Sequence, residues 1–344
     1  MSEAVTFVEN APLAPLNTLR VAATASRLAE VRSAAALPAL LDSPEARGPV
    51  LVLGEGSNVL FAGDYPGLVL RPLFGDVRIL DDDGTTARVR AEVGAGWDRF
   101  VDWTLERGFA GLENLALIPG HVGAAPIQNI GAYGAEVAES IERVEAWDRT
   151  QRRILRLGRA DCAFGYRDSV FKREPERWIV TAVEFRLSRA APLRLDYAGV
   201  VEELAAAGVS DPSAQQVAAA VRRLRRRKLP DPAVIGNAGS FFKNPVVAAS
   251  VAAQLRAEHA DVPVHAAGTG LAKLSAAWLI ERCGWRGHRE GDAGIAAQHA
   301  LVLVNHGNAS GDQLLALARR VAQSVRERFG VALEPEPRIV GAAW

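Results

Sequence analysis

Much is missing from this chain of 344 residues, and each absence removes a class of function. There are two cysteines, Cys162 and Cys283, far apart and in no CxxC pair. That argues against a disulfide framework and a structural zinc site and fits the reduced thiols of a cytosol. Charge of one sign is not in excess, since Lys+Arg and Asp+Glu both total 40. Bulk charge therefore calls for neither nucleic acid nor an anionic membrane, and any anionic ligand has to be met by a local cluster. No run approaches the ~18–20 uncharged apolar residues of a membrane span. The start, "MSEAVTFVENAPLAPLNTLRV", lacks the basic region and apolar core of a signal peptide. The six histidines show no HExxH or other metal spacing, so no metal is assigned. No repeat and no long low-complexity linker is visible. The expectation is a soluble, cytoplasmic protein, too long for one ordinary core and divided into two or three domains.

What is present reads as mixed α and β. Residues 28–43, "LAEVRSAAALPALLDS", read as an amphipathic helix bent or split at Pro38. Residues 48–61 read as a buried strand, a glycine turn and more strand, and residues 87–108 as an alternating strand turning helical after Gly96. Residues 111–149 are irregular in the middle and end as a strand, and residues 177–187 alternate like one. At Asp211 the texture changes. Residues 211–228 form a capped helix with six basic residues in its last seven, stopped by "LPDP", and a domain boundary is expected there. Further helices at 275–285 and 312–330 flank a buried strand at 299–307, a smaller α+β domain.

Several motifs invite chemistry. "GEGSN" (54–58) and "GAGWDR" (94–99) look like phosphate loops, but Val59 and Arg99 stand where a dinucleotide fingerprint needs its third glycine. Either loop remains open to serve as an anion nest or as an ordinary turn. The stretch 108–134 holds six glycines and two prolines among small, apolar and amide residues. It reads as backbone packed against something flat and partly polar, with N–H groups toward a pyrophosphate and Gln128 and Asn129 toward a ring edge, or else as a buried crossover. In "FGYRDSVFK" (164–172), Arg167 is either an anion clamp or an ion-pair partner of Asp168. The basic run Arg222–Lys228 suits a solvated helix C-terminus, with Lys228 facing the next glycine loop. In "GNAGSFFKNP" (236–245), Ser240 is either a proton donor in a dry pocket or part of a hairpin corner beside two core phenylalanines. In "LEPEPRIVG" (333–341), the prolines stiffen an extended segment with Glu334, Glu336 and Arg338 on one face, either a pre-aimed carboxylate or a terminal edge strand.

Taken in order, "NTLRV", "LGEGSNVL", "LIPGHVGAAPIQNIGAYG", "FGYRDSVFK", "KLPDPAVIGNAGSFFKNP" and "EPEPRIVG" resemble the UDP-N-acetylenolpyruvoylglucosamine reductase (MurB) family over nearly the whole chain. The resemblance implies an α+β protein of three domains. Two FAD-binding lobes of the PCMH/vanillyl-alcohol-oxidase type, 1–72 and 73–210, would precede a UDP-sugar-binding domain, 211–344, whose last residues return to the first lobe. It implies that NADPH reduces FAD and that UDP-N-acetylglucosamine enolpyruvate is then reduced to UDP-N-acetylmuramate, in a monomer with no nucleic-acid or membrane partner. Ser240, Arg167 and Glu336 match the family's catalytic residues. Gly54, Gly56, Ser57, Asn58, Pro119, Gly120, Gly123, Ala124, Gln128, Asn129, Gly131 and Gly134 fall at cofactor positions. Tyr166, Tyr197, Lys228 and Asn244 fall at substrate positions of the subgroup with an extra tyrosine loop. Pro337 and His299 depart from the pattern: an apolar residue and an amide are expected there. Two rivals differ in their requirements. Another FAD-linked oxidase of this fold need not keep Ser240, Glu336 or Lys228, and a non-catalytic flavin or nucleotide-sugar sensor needs no positioned acid.

Overall fold

A computed structural model describes residues 4–197 and 199–344. The chain forms two compact units, one of Ala25–Glu55 and Pro66–Arg227 with the residues up to Ala11, the other of Pro12–Thr24, Gly56–Tyr65 and Lys228–Trp344.

The first unit is built on two sheets. The smaller runs Val5–Pro12, Thr24–Val31, Tyr65–Pro72, Val50–Val52 in spatial order, with Val50–Val52 parallel to its neighbour. The larger is antiparallel, in the order Arg153–Gly158, Ile141–Asp148, Trp178–Ser188, Thr86–Glu92, Val77–Asp82. One apolar cluster joins the two sheets, bringing Leu68 and Leu70 together with Trp147 and Ile179. A second gathers the helix Trp97–Glu106, whose Trp97, Phe100, Val101 and Leu105 recur at helical spacing, onto Phe185 of the central strand. That strand is covered on both sides, so Glu184 is fully buried and is neutralised by Arg156.

Two sequence expectations are corrected here. Residues 28–31 are not helical but end the strand Thr24–Val31, in which Ala25, Ala29 and Val31 are buried on alternate positions while Leu28 is also covered. Strand pairing outweighs the helix propensity of Ala, Leu and Glu. Pro38 does not bend a long helix; it lies in the first turn of a short one, Leu37–Asp42, where a missing N–H costs nothing. The helix Ala214–Lys228 forms as expected, and its Val217, Ala218, Ala220, Val221 and Leu224 belong to the first unit's core.

In the second unit an antiparallel sheet runs Gly236–Ser240, Val302–Asn305, Ala293–Ile295, Arg289–Glu290. The long helix Gly311–Phe329 starts at a Ser310/Gln313 capping box and stops at left-handed Gly330. The terminal strand Arg338–Val340 lies parallel to Val59–Phe61. No helix among the described residues is long and apolar enough to cross a membrane.

Candidate active site

The glycine-rich run 117–134 folds against its own unit. Leu117 donates to Asp98 Oδ1 at 2.6 Å. The N–H groups of Val122 and Gly123 bond the carbonyls of Ala95 and Val93, and those of Ala124, Ala125, Ile127 and Ile130 close turns within the run. These amides are spent internally, which corrects the expectation that the run as a whole presents its N–H groups to a pyrophosphate. Gly123 is glycine for packing, since a Cβ there would stand 2.1 Å from Val93 Cγ2. Asn129 is a brace. Its Nδ2 donates to Glu136 Oε2 at 2.7 Å and to the Gly165 carbonyl at 3.1 Å, and its Oδ1 accepts the Ala138 N–H at 3.0 Å. That corrects the expectation of a ring-edge contact from its side chain.

The same run carries the arginine motif. Buried Ser169 donates to the Ile127 carbonyl at 2.6 Å, tying residues 164–172 to the loop. Arg167, left-handed at φ 55°, donates through Nη2 to the Gly131 carbonyl at 2.9 Å and lies 5.6 Å from the Tyr166 ring centroid. Asp168 pairs with Arg173. Tyr197 meets Tyr133 edge to face at 5.0 Å. Arg225 turns inward from the basic helix, donates to the Leu117 carbonyl at 3.1 Å, and interacts electrostatically with Tyr133 and Arg167. Burial lowers the Arg225 pKa and raises that of the Tyr133 phenol. Sequence reasoning did not single out Tyr133 or Arg225. Arg225 lies four residues after buried Val221 and seven after buried Ala218, a helical spacing that marks the inward face.

Beside this run, Glu55 bridges two loops. Its Oε2 accepts the Gly120 N–H at 2.9 Å and its Oε1 stands 3.4 Å from His121 Nε2. The hydrogen bond from His121 holds the Glu55 carboxyl below its ordinary pKa. His121 Nδ1 is buried and has no partner among the described residues. Gly54 keeps this ring in place, for a Cβ on it would lie 3.3 Å from Nδ1.

In the second unit, Ser240 ends the strand Gly236–Ser240 after a bulge, where Asn237 pairs with Val304 but Ser240 with Val302. Gly239 supplies the left-handed residue, at φ 68°, and the Asn237 side chain accepts its N–H at 3.0 Å. Phe241 and Phe242 are both 1% exposed, packed edge to face at 5.1 Å and covered by Trp344. The segment of Glu336 is laced to the same place, with Glu336 N–H donating to the Phe241 carbonyl at 2.8 Å and Lys243 N–H to the Glu334 carbonyl at 3.0 Å. Asn58 joins them, donating to the Glu336 carbonyl at 3.4 Å and accepting the Arg338 N–H at 3.0 Å. The unit thus brings Asn58, Ser240 and Glu336 onto adjoining segments. Asn244 accepts the Ala276 N–H at 3.0 Å, so its carbonyl oxygen caps a helix. Lys228 depresses the pKa of half-buried His299, after burial itself. A Gly239→Ala protein, whose new Cβ meets open space, should lose about 1–2 kcal/mol from the left-handed backbone alone, read as a shift in urea midpoint.

A model of the UDP-N-acetylenolpyruvoylglucosamine reductase C-terminal domain matches residues 231–340, and one of an FAD binding domain matches residues 25–158. A UDP-N-acetylenolpyruvoylglucosamine reductase of Xanthomonas axonopodis pv. citri (strain 306) is 58% identical over 338 residues, covering 98% of this chain and 97% of that protein. The chain belongs to the UDP-N-acetylenolpyruvoylglucosamine reductase family. A reductase of the same name from Xanthomonas campestris pv. campestris (strain 8004) is 57% identical over 340 residues, with 98% and 97% covered. The crystal structure of the Thermus caldophilus reductase superposes with a TM-score of 0.66 at 25% identity, covering 98% of each chain. Members of this family are FAD-dependent oxidoreductases, and the fold is the expected α+β one, an FAD-binding fold followed by the reductase's C-terminal domain. The residues present fit a flavin cofactor, since Gly134, left-handed at φ 81° within the FAD-binding segment, has open space where a side chain would stand.

Proposed function

We propose that this chain uses NADPH, through FAD, to reduce the enolpyruvyl group of UDP-N-acetylglucosamine enolpyruvate to UDP-N-acetylmuramate, as a cytoplasmic monomer in peptidoglycan synthesis. The observation that carries the reading is the lacing of Ser240 to Glu336 through the Phe241 carbonyl, because this reaction needs both a proton donor and a carboxyl group near a developing charge. FAD, when bound, supplies the hydride that the substrate's C3 receives. Ser240 gives the proton to C2. Arg167 and Glu336 stabilise the negative charge that reaches the substrate carboxylate after C3 is attacked. Lys228 takes the diphosphate, and Tyr166, Tyr197 and Asn244 hold the nucleotide sugar. Gly54, Gly56, Ser57, Asn58, Pro119, Gly120, Ala124, Gln128, Gly131 and Gly134 are the backbone and side-chain positions assigned to FAD. The division into lobes 1–72 and 73–210 and a substrate domain 211–344 belongs to the same proposal.

The test is anaerobic and has two steps. NADPH should bleach the flavin absorbance of the purified protein, and UDP-N-acetylglucosamine enolpyruvate should restore it with formation of UDP-N-acetylmuramate. Flavin that bleaches but ignores the enolpyruvyl sugar would transfer the chain to another substrate.

A further inference from the structure

We infer that Trp344 is a positioning residue for the proton-donating step, holding the Phe241–Phe242 corner that carries Ser240 and to which Glu336 is tied. The inference rests on the roles of Ser240 and Glu336 proposed above and lies wholly within the second unit.

The corner is a short ladder between two segments of the chain. Phe242 stands opposite Pro335, with the Glu336 N–H bonded to the Phe241 carbonyl at 2.8 Å and the Lys243 N–H to the Glu334 carbonyl at 3.0 Å. It stops beside Ser240. Pro337 has no N–H to give, and the Arg338 N–H turns to the Asn58 carbonyl at 3.0 Å. A two-stranded ladder of this length is marginal on its backbone bonds and needs packing to fix it. Phe241 and Phe242, both 1% exposed, supply one side of that packing.

Trp344 supplies the other side. Its ring centroid lies 6.4 Å from that of Phe241 and 5.9 Å from that of Phe242, both inclined, a geometry that aromatic pairs prefer. The backbone brings it there by two devices. The strand Arg338–Val340, paired with Val59–Phe61, ends at Gly341, left-handed at φ 92°, where a Cβ would stand 3.2 Å from the Gly63 nitrogen. From the long helix Gly311–Phe329, Arg319 Nη2 donates to the Ala343 carbonyl at 2.6 Å. The indole is thus held by a turn and a captured carbonyl against the two residues that follow Ser240. Trp344 itself is 43% exposed, so its removal opens the surface of the corner and leaves no internal cavity. Proton delivery from Ser240 is sensitive to such loosening, since a displacement of about 1 Å costs about 10²-fold in rate. Trp344 acts through Phe241 and Phe242 and takes no part in the chemistry itself.

The experiment is rapid mixing with the FAD-loaded protein, with the two half-reactions read separately at saturating ligand. Trp344→Ala should leave bleaching by NADPH within about twofold of wild type and slow recovery of the flavin band by UDP-N-acetylglucosamine enolpyruvate about 10–30-fold. Trp344→Phe returns a ring to the pair and should recover within about threefold of wild type. A protein that is merely less stable would lose amplitude in both steps and not the rate of one. If Trp344→Ala does not fold, Trp344→Leu takes its place, with a loss of about fivefold expected in the second step alone. The inference is overturned if the alanine or leucine variant recovers at the wild-type rate, if bleaching slows by the same factor as recovery, or if phenylalanine recovers no faster than the variant it is compared with. A wild-type protein whose flavin ignores the enolpyruvyl sugar would instead overturn the functional reading beneath this inference, a result distinct from any of these.

Discussion

Ser240→Ala is expected to keep flavin reduction by NADPH within about twofold of wild type while slowing product formation about 10²–10⁴-fold, the usual contribution of a positioned general acid. The reasoning starts with what the substitution leaves alone. The Ser240 backbone pairs with Val302, and the neighbouring Phe241 N–H bonds the Leu301 carbonyl at 2.7 Å, so alanine can occupy the same strand end. Phe241 and Phe242 anchor the corner in the core whatever the hydroxyl does. Stability should therefore change by no more than about 0.5 kcal/mol, as for a substitution away from packed or bonded core features. The loss should fall on proton delivery, visible in rapid mixing as normal bleaching followed by slow recovery of the flavin band. A variant that recovers within about tenfold of wild type would remove Ser240 from the proton-donor role and leave the reductase assignment itself standing.

The parts legible in the sequence are those whose cause is local. The strands at 50–52 and 59–61 around a glycine turn, the strand-to-helix change after Gly96, and the helix ended by "LPDP" all follow from period and punctuation within a few residues. The segment at 28–31 failed because its partner strands lie elsewhere in the chain, and pairing decided what propensity could not. The site shows the same division. Ser240 and Glu336 stood out because glycines and prolines frame them. Glu55 and His121 did not, because their meaning is a contact across 66 positions that neither neighbourhood announces. Asn129 misled in the opposite direction: an amide in a glycine-rich loop suggests a ligand, yet its three bonds all run to Glu136, Gly165 and Ala138. Arg225 was readable in principle, but a run of like charges hides a member that lies on the apolar stripe.

The largest stability effect is expected at Gly56. Its φ of 64° costs a residue with a side chain about 1–2 kcal/mol, as at Gly239. The surroundings differ. A Cβ at Gly56 would lie 2.0 Å from the Leu16 carbonyl oxygen and 2.7 Å from Asn17 Cα, both backbone atoms. They cannot easily retreat. Asn17 is buried, donates to the carbonyls of Leu13 and Val21 at 2.8 and 3.0 Å, and accepts the Val21 N–H at 3.0 Å. The Thr18 N–H also bonds the Gly56 carbonyl at 3.1 Å, so displacement of either loop breaks a bond between them. Overpacking against fixed atoms adds about 1–3 kcal/mol. Gly56→Ala should thus lose about 2–5 kcal/mol in urea titration, clearly more than Gly239→Ala, which meets no atom. Equal losses in the two variants would mean that the 16–18 segment yields, and that the "NTLRV" and "GEGSN" motifs are not locked as a unit. A larger loss at Gly56 identifies the close approach of two backbones as the reason one motif carries its glycine and the other its asparagine.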